Sequence, residues 1–148
     1  MSDEVHIEVE SDADIVPARA GGRALASQMG FSRTDATLIA TAISEMARNI
    51  VVHAGSGEIV VKREDGIDRY GLMVVARDSG PGIPDVEAAM EEGYGTKGGL
   101  GLGLPGTRRI MDEFEIESAV GRGTTVTMRK WRVRDELERL REKRHQMG

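Results

Sequence analysis

Apolar and polar residues alternate near the start of the chain: Val5, Ile7 and Val9 flank His6 and Glu8. A period of two predicts a strand with one buried face over residues 5–10. Ser11 and Asp12 punctuate it. Asp14 is placed to cap a helix whose first turn tolerates Pro17, and Gly30 ends that helix after Met29. Ser32 and Asp35 open a second helix with apolar residues at Ile39, Ile43, Met46 and Ile50, a helical spacing, and Gly55 is its natural stop. Residues 58–63 and 72–76 read as two strands around a turn at Asp65-Gly66. The second, Leu72-Met73-Val74-Val75-Ala76, suits the middle of a sheet. Asp78-Ser79-Gly80-Pro81-Gly82 breaks it, and a short helix is expected over 85–92. Residues 93–106 hold seven glycines, too many for helix in the first half of that stretch. Helical pattern returns from Pro105 to Met111. Two further strands are expected at 114–119 and 124–131, joined by Gly121-Arg122-Gly123, and no internal repeat is visible.

This order predicts an α+β fold: a two-layer sandwich in which a mixed, mostly antiparallel sheet is covered on one face by helices. With 148 residues the chain suits one domain, placed at 1–131, with a charged extension, helical or frayed, at 132–148. Aromatic residues are only 3% of the chain, so aliphatic side chains and methionine must fill the core. There are no cysteines, which excludes disulfides and thiolate metal sites, and three scattered histidines argue against a histidine-built metal cage. No apolar run approaches the ~20 residues of a membrane span. The acidic start lacks the basic-then-apolar pattern of a signal peptide, so the expected location is cytoplasmic. Residues 132–148 carry six Lys/Arg and four Asp/Glu, so the net charge of −5 divides into +2 there and −7 elsewhere. An acidic body with few stacking rings argues against a nucleic-acid partner.

Three groups of residues carry candidate chemistry. Glu45 and Asn49 lie four apart on the second helix, one turn from each other on one face, and His53 continues the line. Asn49 offers a hard, neutral oxygen to Mg²⁺, which keeps several waters and leans on substrate phosphates. Glu45 could orient or deprotonate an attacking hydroxyl. Asp78, at a strand end, could accept the exocyclic amine hydrogen bond of adenine, and Gly80 and Gly82 would let backbone approach the base. The glycine-rich run Gly98-Gly99-Leu100-Gly101-Leu102-Gly103-Leu104-Pro105-Gly106 reads as a lid ending at a helix N-terminus, where free N–H groups receive phosphate oxygens, with Lys97 or Arg108 adding charge. Gly101-x-Gly103-x-x-Gly106 matches a dinucleotide fingerprint on paper, but that fingerprint follows a strand, and here a glycine-rich loop precedes it. The Gly-Lys-Ser/Thr ending of a phosphate-binding P-loop is absent. Taken singly, each group has a plain explanation: a solvated helix face, a turn, a loose loop.

Together they resemble a known family. Glu45-x-x-x-Asn49, Asp78-x-Gly80-x-Gly82, the Gly98–Gly106 lid and Gly121-x-Gly123-Thr124-Thr125 come in the order of the boxes of the GHKL ATPase/kinase superfamily, over roughly residues 5–131. The stretches around Ile43–Ile50, Asp78–Pro84 and Gly98–Gly106, with Met111-Asp112-Glu113-Phe114, are most similar to the RsbT-type switch kinases of bacterial stress-response partner switching. The resemblance implies a Bergerat-type ATP fold and serine/threonine kinase activity with ATP and Mg²⁺. It implies Asn49 as the Mg²⁺ ligand, Glu45 as base and Asp78 on adenine. Gly80 and Gly82 would shape the base pocket, Lys97 and Gly98–Gly103 would cover the phosphates, and Thr125 would support the adenine side. Implied partners are STAS-domain antagonist or scaffold proteins, as in stressosomes, and a downstream PP2C-type phosphatase or similar regulator. A second reading is a non-catalytic module that binds ATP and captures a sigma factor or regulator. Glu45 discriminates the two, since binding needs Asn49 and Asp78 while transfer also calls for the carboxylate.

Overall fold

The computed structural model describes residues 4–91 and 103–133, and within the C-terminal tail residues 140–141 and 143–144. Strand β1 spans Glu4–Val9, followed by helices α1 (Ile15–Gln28) and α2 (Arg33–Asn49). Strands β2 (Gly57–Asp65) and β3 (Arg69–Asp78) form a hairpin. A single-turn helix α3 (Val86–Ala89), helix α4 (Leu104–Ile110) and strands β4 (Glu113–Ser118) and β5 (Thr124–Val133) follow. The sheet order is β1-β2-β3-β5-β4, and all four pairings are antiparallel. The α+β two-layer plan is therefore the one the pattern predicts, with the strand rich in aliphatic residues, β3, at the centre.

The layers meet through alternation. Ile59 and Val61 of β2, Leu72 and Val74 of β3, and Val126 and Met128 of β5 are buried, and so are Ile39, Ile43, Met46 and Ile50 of the second helical segment. Small residues compensate for the missing aromatics. Ala18, Gly22 and Ala26 of α1 are buried, and a Cβ added at Gly22 would lie 2.1 Å from Ile43 Cδ1. The two helices thus approach closely enough for aliphatic side chains alone to close the core. The outer sheet face instead carries charge pairs such as Arg129–Glu64 (2.8 Å) and Arg77–Glu58 (3.1 Å). The Glu64 hydrogen bond, reinforced by the charges of Glu64, Glu113 and Glu115, holds the Arg129 guanidinium above its ordinary pKa.

Local signals were mostly realised. The Ser32 hydroxyl caps α2 by accepting from Asp35 N–H at 3.0 Å. Asp14 behaves differently: its carboxylate turns back to accept from Glu10 N–H (2.8 Å) and Ser11 N–H (3.2 Å), closing the turn after β1, and makes no cap bond to α1. Beyond Asn49 the second helix widens into one π-type turn, Ile50–Ala54, ended by Gly55 at φ +87° with its N–H on Ile50 O. No helix among the described residues is long and apolar enough to cross a membrane.

Candidate functional site

A cleft of about 190 Å³ opens between the C-terminal end of α2, the end of β3, the start of β5 and the loop after β3. Its walls are mainly apolar: Met46, Ile50, Ala76, Ile83, Pro84, Leu104, Ile116 and Val126. Asn49, His53, Asp78 and Thr124 supply the polar atoms. Apolar walls with a few convergent polar groups are the signature of a small-molecule site.

Sheet register explains the polar row. Gly57 faces Asp78, Asp78 faces Thr124, and Thr124 faces Ser118 across four adjacent strands. Because Ala76, Val126 and Met128 are buried under the helices, alternation puts Asp78 and Thr124 on that same inner face. Thr125 falls on the opposite face, between Arg77 and Glu117. The threonine in the cleft is Thr124, and the expectation for Thr125 is corrected by one position.

Asp78 ends β3 with its Oδ1 accepting from Gly80 N–H at 2.9 Å, an Asx-type turn that fixes the carboxylate rotamer. The glycines of the following loop serve neighbouring backbone more than a base. A Cβ on Gly80 would lie 2.6 Å from Ala54 Cβ, and one on Gly82, at φ +80°, would lie 2.0 Å from Ala119 O. The loop is wedged between the π-type turn and the β4–β5 turn, and Gly121 N–H donates to Pro81 O at 2.9 Å. Gly82 lines the cleft while Gly80 packs behind it. Gly123, at φ +77°, plays the same part opposite, where an added Cβ would meet Asp78 O at 2.2 Å.

Asn49 is brought into the cleft wall with its Oδ1 buried. Its amide oxygen is the hard, neutral donor that Mg²⁺ accepts alongside waters and phosphates, so the residue fits that ion. Glu45 lies one turn back along α2, outside the cleft lining, with Arg48 Nη1 3.2 Å from its Oε1. Its other oxygen underlies the start of α4: a Cβ on Gly103, at φ +62°, would sit 2.5 Å from Glu45 Oε2. Glu45 is thus brought against Gly103 of the glycine-rich run, one helical turn from Asn49. Lys97, Gly98, Gly99, Leu100, Gly101 and Leu102 lie outside the described residues.

One residue missed in the sequence is Ser118, the last residue of β4. Its Oγ accepts from Ile83 N–H (2.7 Å), donates to Gly123 O (2.9 Å) and meets Thr124 Oγ1 (2.8 Å). The inner-face phase of Phe114 and Ile116 was the signal that could have found it.

Fold and cleft together define a small-molecule-binding α+β domain whose polar row gathers at the ends of the central strands. Residues 9–130 match the family of histidine kinase-like ATPase domains. The chain is 46% identical over 131 residues to the serine/threonine-protein kinase RsbT of Bacillus subtilis (strain 168), covering 88% of this chain and 98% of that protein. It is 32% identical over 140 residues to the anti-sigma F factor of Geobacillus stearothermophilus (88% and 93% covered). It is also 32% identical over 117 residues to that of Clostridium kluyveri (76% and 82%). The chain belongs to the histidine kinase-like (GHKL) ATPase family, in its RsbT-like serine/threonine-protein kinase branch.

Proposed function

We propose that this protein is a serine/threonine kinase of a bacterial partner-switching pathway, working in the cytoplasm. It transfers the γ-phosphate of ATP to STAS-domain antagonist or scaffold proteins. When released from them it activates a downstream regulator of the PP2C phosphatase type. The observation that carries this reading is the juxtaposition of an adenine-sized apolar cleft, bearing Asp78 and Asn49, with a carboxylate one helical turn away at the rim.

In this reading the base enters between Met46, Ile83 and Val126, and the free oxygen of Asp78 accepts its exocyclic amine. Asn49 holds Mg²⁺, which supplies charge neutralisation at the phosphates. Gly98–Gly103, with Lys97, cover the phosphates from the lid. Glu45, held at the rim by Arg48 (3.2 Å) and lying against Gly103 at the start of α4, receives the acceptor hydroxyl proton. The charged segment after Val133 adds a contact surface for the partner. Phosphoryl transfer is largely positioning and electrostatics, so a site with few chemical groups suffices.

The likeness to anti-sigma F factors supports the second reading, an ATP-dependent module that captures a regulator without transfer. The variant Glu45→Ala tests the base role that distinguishes transfer from capture. It should keep Mg-ATP affinity and lose phosphate transfer by ~10²–10⁴-fold, the usual contribution of a general base. Transfer at the normal rate in Glu45→Ala would remove the base role and leave positioning alone.

A further inference from the structure

The hydroxyl of Ser118 has one proton and three neighbours, and the count decides their polarity. Gly123 O is a carbonyl and can only accept, so the Ser118 proton goes there (2.9 Å). Ile83 N–H can only donate, and it occupies one lone pair of Ser118 Oγ (2.7 Å). The contact with Thr124 Oγ1 at 2.8 Å must then have Thr124 as the donor. The Thr124 proton points away from the cleft, and the Thr124 oxygen shows the cleft its lone pairs.

Asp78 is the direct cross-strand partner of Thr124 and is also acceptor-only when ionised. Two adjacent acceptors therefore line one end of the cleft. A ring carrying an amine fits them; a ring carrying an oxo group at that position meets lone pair with lone pair.

We propose that Ser118 is a specificity-determining positioning residue: by locking the Thr124 hydroxyl as a donor to itself, it makes the cleft reject 6-oxopurines in favour of 6-aminopurines. This rests on the nucleotide reading above, in which the base amine meets Asp78. Without Ser118 the Thr124 hydroxyl is free to turn and donate to a 6-oxo group, and discrimination falls. The same serine ties the Ile83 loop to the β4–β5 turn, so a structural role coexists with this one, and the test must separate them.

The separating quantity is a ratio. ITP carries an oxo group for the amine, and a proton on N1 where ATP has a lone pair, so affinities for both are measured by calorimetric titration with Mg²⁺ on the full chain. Circular dichroism and thermal unfolding report folding. Wild type should prefer ATP. In Ser118→Ala the ATP/ITP affinity ratio should fall about tenfold, the worth of exchanging an unfavourable contact for a hydrogen bond. If the ratio keeps its wild-type value while both affinities drop together, Ser118 is a structural clamp alone and the proposal is overturned. Should Ser118→Ala not fold, Thr124→Val decides: removing the lone pairs should lower the ratio several-fold, and an unchanged ratio overturns the proposal. A wild-type protein that binds neither nucleotide would instead refute the nucleotide reading beneath it, and one that binds both equally would refute the acceptor pair.

Discussion

Replacing Asp78 by asparagine tests the floor of the cleft with little cost to the fold. In the proposed reading the carboxylate does two jobs through two oxygens. Oδ1 accepts from Gly80 N–H at 2.9 Å and holds the turn after β3. An asparagine side-chain oxygen can take over that bond, and the change in volume is negligible, so stability should shift by no more than about 0.5 kcal/mol. The other oxygen becomes an NH₂ group, which faces the amine of the base donor to donor. The loss is one hydrogen bond to a charged acceptor, about 1.5–3 kcal/mol. At ~1.4 kcal/mol per decade this is roughly a 10–150-fold weaker dissociation constant for ATP. Calorimetric titration with Mg-ATP reads the affinity, and a thermal melt confirms the intact fold. Wild-type affinity in a folded Asp78→Asn variant would refute the placement of the base against Asp78.

Three further outcomes follow from the same geometry. Thr124→Val should weaken ATP binding by about 2–12-fold, one neutral hydrogen bond, while Thr125→Val, on the opposite sheet face, should leave it unchanged; equal effects at both positions would undo the register argument. In wild type, chelating Mg²⁺ should weaken ATP binding, and in Asn49→Ala chelation should change little further; an undiminished Mg²⁺ effect in that variant would show the ion is held elsewhere. Gly82→Ala forces a Cβ to 2.0 Å from Ala119 O at φ +80°, a backbone conflict that should cost about 2 kcal/mol or more and lower the melting temperature by roughly 4 °C or more. A melt unchanged from wild type would mean that this loop yields easily.

Much of the architecture was legible because local signals and global packing agree. The stripe at Ile39, Ile43, Met46 and Ile50 is the buried stripe, Ser32 is the cap, and the aliphatic run of β3 is the sheet centre. Asn49 and Asp78 were picked out by their spacing in Glu45-x-x-x-Asn49 and Asp78-x-Gly80-x-Gly82, and both line the cleft because each ends its element where the helix and sheet layers part. What escaped were facts about phase and tertiary contact. Thr124 and Thr125 are chemically the same, and only counting back from Val126 and Met128 tells which one faces inward. The glycines of the Asp78 loop were expected to serve a base because the sequence does not show Ala54 or Ala119 O pressing on them. Ser118 is an ordinary residue for a strand end until register brings Ile83, Gly123 and Thr124 around it. Asp14 caps nothing on α1 because β1 leaves two backbone N–H groups within its reach. The widened turn at Ile50–Ala54 carries no sequence mark of its own, although it sets His53 in the cleft lining.

Catalytic transfer to a protein is what separates a kinase from a capture module. Its most direct measurement incubates the purified chain with Mg²⁺ and ATP labelled at the γ-phosphate, together with STAS-domain proteins from the same genome, and identifies the modified residue by mass spectrometry. Label is expected on a serine or threonine of a STAS-domain protein, reduced ~10²–10⁴-fold by Glu45→Ala. Tight ATP binding with no label on any STAS-domain protein would contradict it and favour a capture module.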